Sequence, residues 1–205
     1  MNNFIHPTSI VEDSVVLGNN NFIGPFCYLR GDLIIGDNNH FESHCSIGSN
    51  PEHRDYFFEK NGKIVIGNNN IFREFVTINA GTTHTTKIGN FCSLLNGSYV
   101  GHDTIIENKV TISSNCSIGG FCYIMEGVNF GMGSKCHQNV LVGAYSMIGM
   151  NSTITKKTNC EPFKVLVGSP AIIKKNNDVA ISRNDISSDV IQKINLIYIQ
   201  KKNER

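Results

Sequence analysis

Apolar residues recur along this chain at every sixth position. From Ile88 the series runs through Leu94, Val100, Ile106, Ile112, Ile118, Ile124, Phe130, Cys136, Val142 and Ile148 to Ile154 without a polar interruption. With 40% of the chain apolar, so long a run has a chance probability on the order of one in a hundred thousand before a phase is chosen. An amphipathic helix has a period near 3.6 and a half-buried strand a period of 2, so each repeat of six is one short strand followed by a corner. Gly89, Gly101, Gly119, Gly143 and Gly149 directly follow the apolar residue, where a corner wants positive φ or minimal bulk. Three repeats close one coil of eighteen residues, and coils stack as parallel strands at roughly 4.8 Å. The expected fold is all-β: a left-handed parallel β-helix of triangular section.

An earlier series, Ile5, Val11, Leu17, Ile23, Leu29, Ile35, Phe41 and Ile47, has the same period. The register then breaks twice. Ile47 to Ile66 spans nineteen residues, across the polar segment SNPEHRDYFFEKNGK, and Ile78 to Ile88 spans ten, across NAGTTHTTK. Both segments, 49–63 and 79–87, read as loops, and excursions from a solenoid commonly build its binding face. After Ile154, Pro162, Gly168 and Pro170 end the regular coil. Val190, Ile191, Ile194 and Ile197 follow an Asp-Ile-Ser-Ser cluster at helical spacing and predict one amphipathic helix. It is placed to cover the open edge of the last coil, leaving KKNER as a solvated tail. The chain thus divides into a β-helix over 1–160 and a C-terminal extension over 161–205. Apolar residues facing outward from flat faces predict self-association, as a homotrimer about an axis parallel to the prism.

Composition narrows the function classes. A net charge of +1 in 205 residues, with interleaved signs, gives no nucleic-acid or anionic-membrane surface. The seven cysteines include no CxxC pair and read as reduced core thiols. MNNFIHP lacks the charged and long apolar regions of a signal peptide, and no later stretch is long enough to span a bilayer. A cytoplasmic protein with no membrane insertion is expected.

Among the histidines His102 stands out, between Gly101 and Asp103 in NGSYVGHDT. One coil further on is Gly120, a backbone N–H with no side chain to shield it, some 5 Å along the axis from the imidazole. A base beside an exposed donor is an acyl-transfer geometry. His137, one residue short of two coils from His102, falls near the same column, next to Gln138. His6, His40, His44, His53 and His84 read as surface residues, the last two of more interest because they lie on the excursions.

At this level of detail the sequence resembles the hexapeptide-repeat acyltransferases. Within that class it is similar to the UDP-N-acetylglucosamine O-acyltransferase family and to the related nucleotide-linked amino-sugar N-acyltransferases. The resemblance extends to about residue 200 and is carried by SIG (46–48), IGNNNIFREFVTINAGT (66–82), NGSYVGHDT (96–104), SKCHQN (134–139), VGSPA (167–171) and RNDIS (183–187). It implies that His102 is the general base, Asp103 its accompanying carboxylate and Gly120 the donor facing the thioester carbonyl. His137 and Gln138 would line the acceptor and acyl site. Asn177 and Arg183 fit the family's nucleotide-binding pattern. Gly168 and Pro170 resemble the G-x-P-A of coenzyme-A-dependent members, with Lys174 and Lys175 available to coenzyme phosphates. No cofactor or metal would be bound permanently; acyl-coenzyme A or acyl carrier protein serves as thioester donor.

The departures from that pattern lie at the acceptor and in the C-terminal segment, where Val179 and Asn184 replace the acidic and second basic residue of the family's pattern. Asn79 and Tyr99 stand where the O-acyltransferases carry histidines, and Phe121 follows Gly120 in place of another. An amine is a better nucleophile than a hydroxyl and needs fewer helpers. The sequence therefore favours N-acylation of a UDP- or dTDP-linked amino sugar for surface polysaccharide, with 3-O-acylation of UDP-N-acetylglucosamine for lipid A as the alternative. Two other classes compete. A carbonic-anhydrase-like zinc site needs three converging imidazoles, and no third histidine follows His137. A purely structural β-helix predicts no turnover at all.

Overall fold

A computed structural model of the chain describes residues 2–56 and 62–205; residues 57–61 of the expected loop 49–63 lie outside them. Among the described residues, twenty-three parallel strands of two to four residues, with one longer strand pair at the C-terminal end, wind into a left-handed β-helix of about nine turns. Three sheets form its faces. The first starts at Phe4–Ile5, the second at Ile10–Val11 and the third at Val16–Leu17, and strands three apart in sequence are neighbours in each.

The sixfold pattern has its cause in this winding. Ladder residues point inward, joined two positions earlier by residues such as Cys92, Val110 and Cys116, so Val100 stacks on Ile118, Ile118 on Cys136 and Cys136 on Ile154 down one face. From Ile23 to Ile154 the ladder is buried throughout. Ile5 is 42% exposed because no coil lies beneath it. Two phenylalanines stack within the core, Phe41 on Phe72 at 4.4 Å between centroids. Phe72→Ala is expected to cost about 3–5 kcal/mol, the loss for emptying an aromatic site between rigid coils, as a lower midpoint in urea unfolding. All seven cysteines are free and buried.

Polar groups close the corners. Between the third and first faces Asn21, Asn39 and Asn70 are buried, each side chain accepting from the next coil in a continuous amide ladder that ends on the Cys92 N–H. Such a ladder gives the buried amides along it their acceptors. Glycines after the ladder residue serve close approach more than positive φ: a Cβ on Gly101 would stand 2.6 Å from the Gly120 nitrogen. The left-handed conformation falls two residues later, on Asp103, Phe121 and their counterparts.

Both excursions leave the same corner. Ser46–Ser49 and Thr77–Asn79 belong to the second face, while Ile64–Ile66 and Thr86–Ile88 belong to the third. The two loops lie side by side, the Gly62 N–H donating to the Gly81 carbonyl at 3.0 Å.

The C-terminal segment departs from expectation in four ways. The free edge of the first sheet is taken by an antiparallel strand, Ala171–Asn176, folded back on Lys164–Gly168. Its backbone satisfies that edge directly, which a helix cannot do. A six-residue helix, α1 (Asp178–Arg183), precedes the amphipathic helix α2 (Ser188–Asn203), whose N-cap is Ser187. Instead of capping the prism, α2 lies on the third face, where Ile191, Ile194 and Tyr198 join Tyr123, Leu141, Met125 and Phe163 in a second apolar cluster. The KKNER segment is docked, not a solvated tail: Lys201 Nζ donates to the Tyr123 hydroxyl at 2.7 Å and Arg205 donates to the Phe121 carbonyl. Among the described residues no helix is long and apolar enough to cross a membrane.

Candidate active site

His102 sits where the chain turns from the second face, after Tyr99–Val100, toward Ile105–Ile106 on the third. This is the corner from which both excursions leave. Its imidazole is buried, and Nδ1 lies 2.7 Å from Oδ2 of Asp103. Asp103 is held at φ +58°, which swings its carboxylate back toward the loop over 80–85, shorter at both ends than expected. There it accepts the backbone N–H groups of Thr82, Thr83 and His84 at 2.6–3.0 Å and the Thr82 hydroxyl at 2.6 Å. Burial alone would raise its pKa. The hydrogen bonds from Thr82, His102 and the His84 and Thr82 amides outweigh burial and hold the carboxyl below its ordinary value. Asp103 therefore stays ionised, pins the loop and orients the ring.

The sign of the pH dependence follows. A carboxylate whose folded pKa is depressed contributes stability that is complete above the usual carboxylate range and is lost as pH falls through the folded value. Asp103→Asn turns an acceptor's lone pair into a donor facing donors. It is expected to cost about 2–4 kcal/mol at pH 7. Thermal melts at descending pH check this, the gap from the native chain closing below the usual carboxylate range.

On the other side of the ring is Gly120. A Cβ at that position would stand 2.8 Å from both Cε1 and Nε2 of His102, so only glycine leaves the imidazole its place. Among the described residues the Gly120 N–H donates to no acceptor, and His102 Nε2 has no hydrogen-bond partner. Two rings stand edge-on to the imidazole, Phe121 at 5.1 Å and His53 from the first excursion at 5.9 Å. His84 is 4.0 Å from the Asp103 carboxylate, with its side chain 72% exposed. A second polar group lies nearby: Asn79 Nδ2 donates to the Tyr99 hydroxyl at 2.9 Å. Burial, then the Glu52 carboxylate, pushes the Tyr99 hydroxyl well above its ordinary pKa.

The eighteen-residue arithmetic thus brings His102, Asp103 and Gly120 together, with Asn79 and Tyr99 hydrogen-bonded to each other. The other residues lie elsewhere. Gln138 is in register with Gly120 one coil further from His102, and His137 precedes it; both are exposed. His137 lines a cleft of about 660 Å³ under the C-terminal hairpin, with Lys156, Lys157, Ser169, Pro170 and Ala171. Gly168, at φ +101°, ends the strand leading into that hairpin's turn. Lys174 and Lys175 are exposed on its outer strand, outside the cleft lining. Asn177 is the N-cap of α1, its amide donating to the Tyr145 carbonyl at 2.8 Å, and Arg183 is exposed in the last turn of that helix. Sequence reasoning missed the contact of His53 with His102, the three amides on Asp103, and Arg205. Only the shared corner of the two excursions carried a signal for the first of these.

Residues 14–49 match the family described as bacterial transferase hexapeptide (six repeats). An acyl-[acyl-carrier-protein]--UDP-N-acetylglucosamine O-acyltransferase of Nautilia profundicola is 36% identical over 157 residues, 74% of this chain and 60% of the relative. One from Burkholderia orbicola is 32% identical over 76% of this chain and 59% of its own length. The chain spans about half the length of the curated relatives it matches, 46% of one from Synechocystis. Among solved structures, LpxA from Acinetobacter baumannii superposes with a TM-score of 0.78 at 27% identity, covering 95% of this chain and 83% of that one. The UDP-N-acetylglucosamine O-acyltransferase (LpxA) of Moraxella catarrhalis gives 0.70 at 29% identity, with 95% and 82% covered. In repeat, fold and coil arrangement the chain resembles the hexapeptide-repeat acyltransferases, and among them the UDP-N-acetylglucosamine O-acyltransferases.

Proposed function

We propose that the chain moves an acyl group from a thioester carrier to a nucleotide-linked amino sugar, with His102 as general base, Asp103 as its orienting carboxylate and the Gly120 N–H as oxyanion donor. The observation that carries this reading is an imidazole tied to Asp103 through Nδ1 while Nε2 is unengaged against a bare glycine backbone. With Asp103 accepting the Nδ1 proton, Nε2 holds the lone pair. Nε2 takes the acceptor's proton as its oxygen or nitrogen bonds to the thioester carbon. The tetrahedral oxyanion is held by the amide, the C–S bond breaks, and the imidazolium returns the proton to the leaving thiolate.

The relatives act, by name, on UDP-N-acetylglucosamine with acyl carrier protein. They support a sugar hydroxyl and a carrier-protein donor for this chain better than the amine and coenzyme A expected from its sequence. The amine reading keeps one observation of its own, the Asn79–Tyr99 pair in place of two histidines. Incubation with acyl carrier protein or coenzyme A thioesters and UDP-N-acetylglucosamine or its 3-amino analogue separates them. An O-acylated UDP-N-acetylglucosamine, by mass spectrometry, is the expected product; an N-acylated product alone would favour the amine, and no product from any pair would overturn the proposal. The reading includes a homotrimer in the cytoplasm. Exposed Phe26 and Phe75, stacked along one corner through His44, support self-association, which light scattering tests.

A further inference from the structure

The Gly120 N–H is one half of a peptide unit whose other half is the Gly119 carbonyl. A peptide unit is planar, with its C=O and N–H opposed, so whatever fixes that carbonyl aims the N–H. The carbonyl accepts from the Thr104 hydroxyl at 3.0 Å, and among the described residues no other group donates to it. Thr104 is fully buried, two residues after His102. Its hydroxyl oxygen in turn accepts the Cys122 N–H at 3.3 Å. One side chain therefore joins both ends of the turn over 119–122.

The rest of that turn is tied to the coils on either side. The Gly119 N–H donates to the Cys136 carbonyl, the Phe121 N–H to the His102 carbonyl, and the Asn139 N–H to the Gly120 carbonyl, each at 2.9 Å. Of the four N–H groups in the turn, only that of Gly120 has no acceptor among the described residues. The corner thus presents a single donor in a fixed direction. A hydrogen bond on the carbonyl also draws electron density along the amide and strengthens the N–H at its other end.

Hydroxyls make the same bond at two other corners. Ser9 donates to the Gly24 carbonyl at 2.6 Å and Ser146 to the Glu161 carbonyl at 2.8 Å. Pro25 and Pro162 follow those carbonyls, so neither peptide has an N–H to aim. Cys92 and Cys116 reach the Glu107 and Gly131 carbonyls at 3.2 and 3.1 Å, but a thiol is a weaker donor than a hydroxyl. At Thr104 a hydroxyl stitch stands behind a free amide beside an imidazole. We propose that Thr104 is the positioning residue of the oxyanion donor, its hydroxyl on the Gly119 carbonyl aiming and polarising the Gly120 N–H toward the thioester oxygen. This inference rests on the acyl-transfer reading.

Rates of acyl transfer by the full chain carrying Thr104→Val, Thr104→Ser or Ser146→Ala test this. Valine keeps the branched shape and removes the hydroxyl. It is expected to lower kcat and kcat/KM together by about tenfold, the worth of one hydrogen bond made in the transition state. The pH midpoint of kcat/KM should stay where it is, because His102 keeps Asp103. Serine should recover the rate to within about threefold. Ser146→Ala removes a buried hydroxyl from a carbonyl with no N–H behind it and should keep the native kcat. Without any turnover, the amide proton resonance of Gly120 should move upfield in Thr104→Val and hold its place in Ser146→Ala. A native kcat in Thr104→Val, an equal loss in Ser146→Ala, a change in KM alone, or an unmoved Gly120 resonance would overturn the assignment. A native chain that acylates no sugar while that resonance follows the hydroxyl would sink the proposed transfer and leave the hold of Thr104 on the amide standing.

Discussion

Replacing His102 by glutamine is expected to lower the turnover of acyl transfer by about 10²–10⁴, the contribution of a positioned general base, with the fold intact. Glutamine fills much of the same volume and its amide can still face Asp103, so the carboxylate keeps a partner and the loop over 82–84 its anchor. What it lacks is a basic nitrogen directed at the acceptor. The loss should therefore appear in kcat and kcat/KM together, the mark of an interaction made only in the transition state. Rates measured beside circular dichroism and thermal melts separate this from unfolding. Full activity in the variant would remove the base from the mechanism.

The second large effect is expected from a single methyl group. Gly120→Ala places a Cβ 2.8 Å from Cε1 and Nε2 of His102 and 3.1 Å from the His102 carbonyl, closer than non-bonded carbon and nitrogen atoms approach. The imidazole must then rotate or the corner must shift. Displacement of a catalytic group by about 1 Å costs roughly 10² in rate, and overpacking a rigid site costs about 1–3 kcal/mol. We expect Gly120→Ala to lose at least about a hundredfold in kcat with a modest drop in melting temperature. Gly101→Ala serves as the adjacent comparison: its Cβ would meet the Gly120 nitrogen at 2.6 Å, pressing on the same amide from the coil below.

Much of this architecture was legible because a solenoid converts sequence spacing directly into spatial proximity. Once the period of six was read, residues eighteen apart became neighbours, and Gly120 fell beside His102 by counting alone. The same arithmetic put His137 near that column, next to Gln138, although nothing in the spacing said that the hairpin over 164–176 would roof His137. The C-terminal segment carries no such repeat, and there inference from composition failed. The helical spacing of Ile191 and Ile194 located α2 but not the face it covers. That face was decided by Tyr123, Leu141 and Phe163, whose outward rings and side chains need a partner. KKNER looked like a solvated end because its charges were counted without the carbonyl of Phe121 and the hydroxyl of Tyr123 that receive them. His53 was hidden for a related reason, since a loop's path is set by local packing that periodicity does not encode.

The position of the acceptor in a complex tests the central claim most directly. A crystal structure of the chain with UDP-N-acetylglucosamine is expected to place the reactive sugar atom within about 3.2 Å of His102 Nε2, beside the Gly120 amide. A nucleotide sugar seated with its hydroxyls turned away from that nitrogen, or bound only beneath the C-terminal hairpin, would contradict the account.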